Sequence, residues 1–113
     1  MKYEAVLGYD KLDVFVEDKL LGMNVNGFVC YTIGEFYVPS IKFDVILVNH
    51  EAFPKEPFDI LNYKAKMFVE GRQHVFEFEG IIAECTYNSE IGIAEAEIIS
   101  KGQVYMDGKP FGN

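Results

Sequence analysis

Residues 60–80, "ILNYKAKMFVEGRQHVFEFEG", decide how the rest of the chain is read. In its first half Leu61, Tyr63, Ala65, Met67 and Val69 fall on alternate positions, opposed by Asn62, Lys64, Lys66 and Glu70. A period of two places successive side chains on opposite faces of a strand, so this pattern predicts a strand with one buried face. "EGR" at 70–72 supplies a turn glycine. Alternation then resumes with His74, Phe76 and Phe78 on one face and Val75, Glu77 and Glu79 on the other. The stretch therefore reads as a β-hairpin, and Gly80, in the middle of the second run, marks a bulge or bend. A competing local reading starts a short helix at Pro57 and carries it through "PFDILNYKAKM", because proline suits a first helical position.

The same period recurs outward in both directions. Leu12, Val14 and Val16 share a face in "LDVFVED", as do Ile41, Phe43, Val45 and Leu47 in "IKFDVILVN". Beyond Gly80, Ile81, Ala83, Cys85 and Tyr87 carry the alternation to a turn cluster, "NSEIG", at 88–92. "IAEAEIIS" sets Ala94, Ala96 and Ile98 against Glu95 and Glu97; Ala and Glu favour helix, but glycines at 92 and 102 leave little room for a capped one. "MDGK" at 106–109 is a two-residue hairpin turn, since Asp-Gly accepts positive φ at both central positions. "NVNG" at 24–27 reads as another turn, and Pro39 in "VPS" breaks the run before residue 41. Short strands at spacings of roughly 8–12 residues specify an antiparallel β-sandwich or barrel with at most one short helix. The 113 residues form a single β domain, 1–113, large enough to bury a core. The expected core is Val14, Phe43, Val45, Leu47, Leu61, Tyr63, Met67, Val69, Phe76 and Phe78.

Charge narrows the function classes. With 18 acidic and 10 basic residues the chain carries a net −8, which opposes binding to a nucleic-acid backbone or an anionic membrane surface. No apolar run approaches the roughly 20 residues of a spanning helix. Glu4 and Asp10 interrupt the apolar stretch that a secretory signal needs, so a non-exported protein is expected. The two cysteines, Cys30 and Cys85, lack CxxC spacing and read as reduced thiols, with a cross-sheet disulfide as the alternative. Two Cys and two His so scattered do not make a four-ligand zinc site. No cofactor is expected. Ser40, Ser89 and Ser100 lack a nucleophile-elbow context, and there is no Gly-rich phosphate loop.

Chemistry, if present, would be sought at "VNHEAFPKEPFD", residues 48–59. "HEAFPKEP" resembles the His-Phe-Pro-Gly loop of hotdog-fold dehydratases acting on acyl-carrier-protein thioesters. That resemblance implies a catalytic His50 and a long central helix carrying a partner carboxylate. In this chain Glu51 and Ala52 intervene before Phe53-Pro54, Lys55 stands in the glycine's place, and strand alternation resumes within a few residues. The preferred reading is a long connection stiffened by Pro54 and Pro57, in which Phe53 and Phe58, with His50, contact a protein partner. No small-molecule substrate is expected.

Residues 76–108, "FEFEGIIAECTYNSEIGIAEAEIISKGQVYMDG", resemble the C-terminal strands of bacteriophage tail-tube and related virion β-sandwich proteins. The resemblance implies a non-enzymatic structural protein of a virion or of the infected cell's cytoplasm. Its partners would be copies of itself or other virion proteins, joined through edge strands. An acidic face, Glu77 and Glu79 with Glu95 and Glu97, joined by Glu84, would line a lumen along which DNA slides. Residues 49–59 are the best candidate for the loop joining stacked rings. The alternative is an acidic interaction module or inhibitor that mimics nucleic acid, which the net charge favours and the dispersal of the acids along the chain weakens.

Overall fold

The computed structural model describes residues 3–33, 39–48, 60–88, 90–99 and 104–110. They form β1 (Tyr3–Val16), β2 (Lys19–Ile33), β3 (Pro39–Leu47), β4 (Lys64–Glu70), β5 (Val75–Asn88), β6 (Ile93–Ile99), β7 (Val104–Met106) and β8 (Lys109–Pro110). Every pairing is antiparallel, and there is no helix among the described residues. The strand order β4-β1-β2-β3-β6-β5 closes on itself through β4–β5, so the sheet is a six-stranded barrel. It is built from two meanders, β1β2β3 and β4β5β6, joined at both seams by β1–β4 and β3–β6.

The turns follow from residues that tolerate positive φ. Asp107 and Gly108 (φ 53° and 78°) close the β7–β8 hairpin, as "MDGK" predicts. Glu17 and Asp18 (φ 49° and 65°) do the same between β1 and β2. Glutamate is a poor residue for that conformation, and its bonds explain why it holds. The Glu17 amide donates to the Lys64 carbonyl at 2.9 Å, and its Oε1 accepts from the Lys64 amide at 3.0 Å. The turn is thereby fastened to the start of β4.

Inside, Leu12, Val14, Val16, Ile41, Val45, Met67, Phe78, Ile82, Ala94 and Ile98 are fully buried. Aromatic contacts cross the barrel. The Tyr31 ring of β2 meets Phe76 and Phe78 of β5 edge-on, at centroid distances of 5.8 and 6.2 Å. These contacts tie one meander to the other through the centre. Among the described residues the interior is filled by side chains, and none of them forms the long central helix that the hotdog resemblance implies.

Several local expectations are corrected. Leu61 and Tyr63 are exposed, not core, because Asn62 takes φ 67° and the chain turns at 60–63, with the Tyr63 amide bonded to the Ile60 carbonyl at 3.2 Å. Ile60 is buried in their place, and the helix reading of 57–67 fails over its described part, 60–67. "NVNG" is not a turn: it lies inside β2, where Asn26 at φ 52° and a break in the β2–β3 register between Met23 and Cys30 mark an irregular bulge. His74 precedes β5 and is exposed.

β5 is the demanding strand. Its first half pairs with β4 on one side and β7 on the other; its second half pairs with β6. The change of partner falls at Gly80, followed by a register shift between Ile82 and Glu84. A Cβ at Gly80 would press on the Ile99 carbonyl oxygen and the Ile98 side chain. Backbone cannot yield as a side chain can, so Gly80→Ala is expected to cost about 1–3 kcal/mol, as overpacking does. A urea midpoint lowered at unchanged slope measures it; an unchanged midpoint would show that β5 bends elsewhere.

Candidate functional site

The barrel's outer surface carries the chemistry, and strand register dictates what meets there. A shallow groove of about 430 Å³ lies across β1, β2, β3, β6 and β5. Its floor is a row of directly opposed residues: Val6 with Cys30, Cys30 with Lys42, Lys42 with Glu97, and Glu97 with Glu84. A second row sets Asp44 against Glu95 and Glu95 against Thr86. Val6 and Phe28 form the apolar end and are 68% and 69% exposed. Two like-charged pairs therefore stand face to face, with Lys42 the cation of the first row, opposite Glu97. Opposed like charges on adjacent strands destabilise, each by a few tenths of a kcal/mol to about 1 kcal/mol.

Glu95 and Glu97 thus lie in one acidic patch with Asp44 and Glu84. Glu77 and Glu79 do not join them. Glu79 is opposite Lys66 of β4 and bonded to it at 3.2 Å, and Glu77 is opposite Phe68 and Tyr105. Glu79 and Glu84 are separated by about 16 Å of extended chain and by the bend at Gly80. The single face of Glu77, Glu79, Glu95 and Glu97 is corrected to two surfaces. The β4-side surface is mixed: Lys66 also stands 5.7 Å from the Phe68 ring centroid, and Phe68 packs edge-on against Phe15 at 5.9 Å. His50, Phe53 and Phe58 lie outside the described residues.

Two features carry no sequence signal. The Tyr9 side chain crosses Gly27, where a Cβ would sit 2.5 Å from its hydroxyl oxygen. That hydroxyl is buried without a hydrogen-bond partner among the described residues. Burial pushes its pKa up, and the Asp44 carboxylate adds to the shift. The second is Asp107, whose Oδ1 accepts the Val75 amide at 2.7 Å while its Oδ2 lies 2.6 Å from His74 Nδ1. These bonds dock the β7–β8 hairpin on the start of β5. Cys30 and Cys85 are not joined in a disulfide, and both are partly buried. Among the described residues no group of His, Cys, Asp and Glu is arranged to hold a metal ion.

Comparison with protein-family models, with curated proteins and with solved structures returned no match.

Two outcomes test this surface. The Val75 amide, then the His74 side chain, holds the Asp107 pKa below its ordinary value. A depressed carboxylate stabilises the fold above its unfolded pKa and loses that contribution as pH falls through its folded pKa. The Val75 amide resonance should therefore stay fixed while ordinary exposed carboxylates titrate near about pH 4 and shift only below that range. Movement within the ordinary range would show that the hairpin is not docked this way. On the acidic patch, Glu95→Lys removes the clash with Asp44 and is expected to stabilise by about 0.5 kcal/mol at low salt. The gain should largely disappear in 1 M NaCl, where the screening length is about 3 Å. Thermal melts at both salt levels check it.

Proposed function

We propose that the protein is a non-enzymatic structural subunit that works by self-association, of the kind found in bacteriophage virions. The observation that carries this reading is a surface one. Val6, Val25 and Phe28 are 60–69% exposed on the outside of the β1–β2 ribbon. Beside them the N-terminal half of β1 pairs with β2 alone, because β4 reaches only from Lys11 to Val16. A half-unpaired strand with large apolar neighbours is the usual raw material of strand-to-strand assembly. The virion assignment draws its support from the resemblance of residues 76–108 to tail-tube strands.

A second reading has its own observation. Asp44 opposite Glu95, and Glu84 opposite Glu97, are costs that a basic partner would relieve. This favours an acidic module that binds a cationic protein surface.

Sedimentation velocity of the full chain, with negative-stain imaging, separates the two. Concentration-dependent oligomers or ordered particles are expected. A protein that stays at its 12.9 kDa monomer mass throughout, yet captures a basic polypeptide such as polylysine in low salt, would overturn the first reading and favour the second.

A further inference from the structure

We propose that Asn26 is a spontaneous modification site, at which asparagine converts to aspartate and isoaspartate and sets a carboxylate among the exposed apolar residues of β2. Asn26–Gly27 is the one Asn-Gly pair of the chain. The reaction is a cyclisation. The Gly27 amide gives its proton to hydroxide, and its nitrogen attacks Asn26 Cγ. The Cγ–Nδ2 bond breaks, and Nδ2 leaves as ammonia with a proton taken from water. Water then opens the cyclic imide. Attack at Cγ gives aspartate; attack at the backbone carbonyl gives isoaspartate, in which the chain runs through Cβ and Cγ. In sum, an amide and a water become an acid and an ammonia. A glycine nitrogen is the favoured nucleophile, because no side chain hinders it and its backbone rotates freely.

The fold decides which asparagine reacts. Asn26 is exposed, and its side chain makes no hydrogen bond among the described residues. β2 has no β3 partner over 24–29, and the β1 ladder passes from Tyr9–Gly27 to Lys11–Val25 without pairing Asp10 to Asn26. The other described asparagines are fastened. Asn24 Nδ2 donates to the Asp44 carbonyl at 3.3 Å and its Oδ1 accepts the Val25 amide at 2.9 Å, and the residue that follows it is β-branched. The amide after Asn62, that of Tyr63, donates to the Ile60 carbonyl at 3.2 Å. Asn88 Oδ1 accepts the Glu90 amide at 3.0 Å. Asp107–Gly108 has the sequence for the same imide, and Asp107 has nearly the φ of Asn26, 53° against 52°. Its carboxylate, held by the Val75 amide at 2.7 Å and by His74 at 2.6 Å, is not free to turn on the Gly108 nitrogen.

Gly27 is itself fixed by packing. A Cβ there would lie 2.5 Å from the hydroxyl oxygen of the buried Tyr9, so the residue that makes Asn26 labile is one the core requires. The product also lands in a particular place. Val25 and Phe28, 60% and 69% exposed, flank the pair, and Asp10 and Arg72 line the hollow beside Asn26. On the self-association reading, on which this consequence rests, a carboxylate between two apolar contact residues must be desolvated, so aged protein associates more weakly. The backbone atom that isoaspartate adds falls between the Met23–Ile46 and Cys30–Lys42 pairs, where β2 spans 24–29 and β3 only 43–45. A stretch already so irregular absorbs it, and the barrel stays folded.

The test is peptide mapping by tandem mass spectrometry of the folded full chain, aged at mildly acidic and mildly alkaline pH. Asn26 should gain the mass of an amide-to-acid change at least about tenfold faster than Asn24, Asn62 or Asn88. The rate should rise with pH, and isoaspartate should exceed aspartate. Asn26→Gln, which forms its larger imide ring slowly, should remove the acidic species seen on ion exchange. Modification first at another asparagine, or isomerisation of Asp107 at a matching rate, would overturn the site. So would an Asn26 that stays intact in the folded chain yet reacts in urea, because the fold would then be protecting it. Should Asn26→Gln fail to fold, the wild-type map decides alone. In sedimentation velocity the acidic fraction should show a dissociation constant about tenfold above that of fresh protein. Equal association of the two would overturn the link to the apolar patch and leave the site standing. Fresh protein that is monomeric throughout would overturn self-association and this consequence with it, while the map at Asn26 is decided separately.

Discussion

Everything in this molecule follows from closing a short sheet on itself. A barrel has one inside, so each strand must direct one face inward along its whole length, and six strands of alternating residues do so around Tyr31, Phe76 and Phe78. Closure also demands that some strand be shared between partners. β5 takes that task, with β4, β7 and β6 all bonded to it. The bend it needs is at Gly80, where the Ile99 carbonyl already fills the space of a side chain. Closure removes edges as well, and among the described residues the N-terminal half of β1 is paired with β2 alone.

Much of this was legible in the sequence, and the limits are instructive. Alternation located the inward faces of 12–16, 41–47 and 65–69, because period two has no other stable reading over such lengths. "MDGK" and Gly80 were readable because the backbone there requires particular residues. Leu61 and Tyr63 misled because alternation was continued through Asn62, whose left-handed conformation ends the strand pattern without a glycine to announce it. The "NVNG" bulge misled for the complementary reason: turn-forming residues also serve irregularities inside a long strand. What determined its role was the pairing of β2 with β1 along its whole length, a non-local fact.

The acidic face shows how register outweighs sequence proximity. Glu77 and Glu79 are near neighbours of Glu84 in the chain, yet they look onto β4 and β7, and Lys66 neutralises Glu79. Asp44, which no local pattern singles out, is the residue opposite Glu95. Alternation predicts which face a residue is on. It is silent about which strand lies beside it, and in a barrel that second fact sets the local charge.

The two surfaces on which function is proposed respond oppositely to salt. The chain carries a net −8, so two copies approaching each other repel at long range, and screening helps them meet. The β1 edge contributes almost no charge of its own beyond Glu4, so once contact is made little attraction is lost as ionic strength rises. The acidic patch behaves in the other direction. Its attraction for a cationic partner is Coulombic, acts between exposed groups, and fades as the screening length shrinks from about 10 Å at 0.1 M to about 3 Å at 1 M. The proposed self-association through β1 would therefore be strengthened by salt, whereas capture of a cationic partner by Asp44, Glu84, Glu95 and Glu97 would be weakened by it. The sign of the salt dependence assigns an observed complex to one surface or the other before any residue is changed.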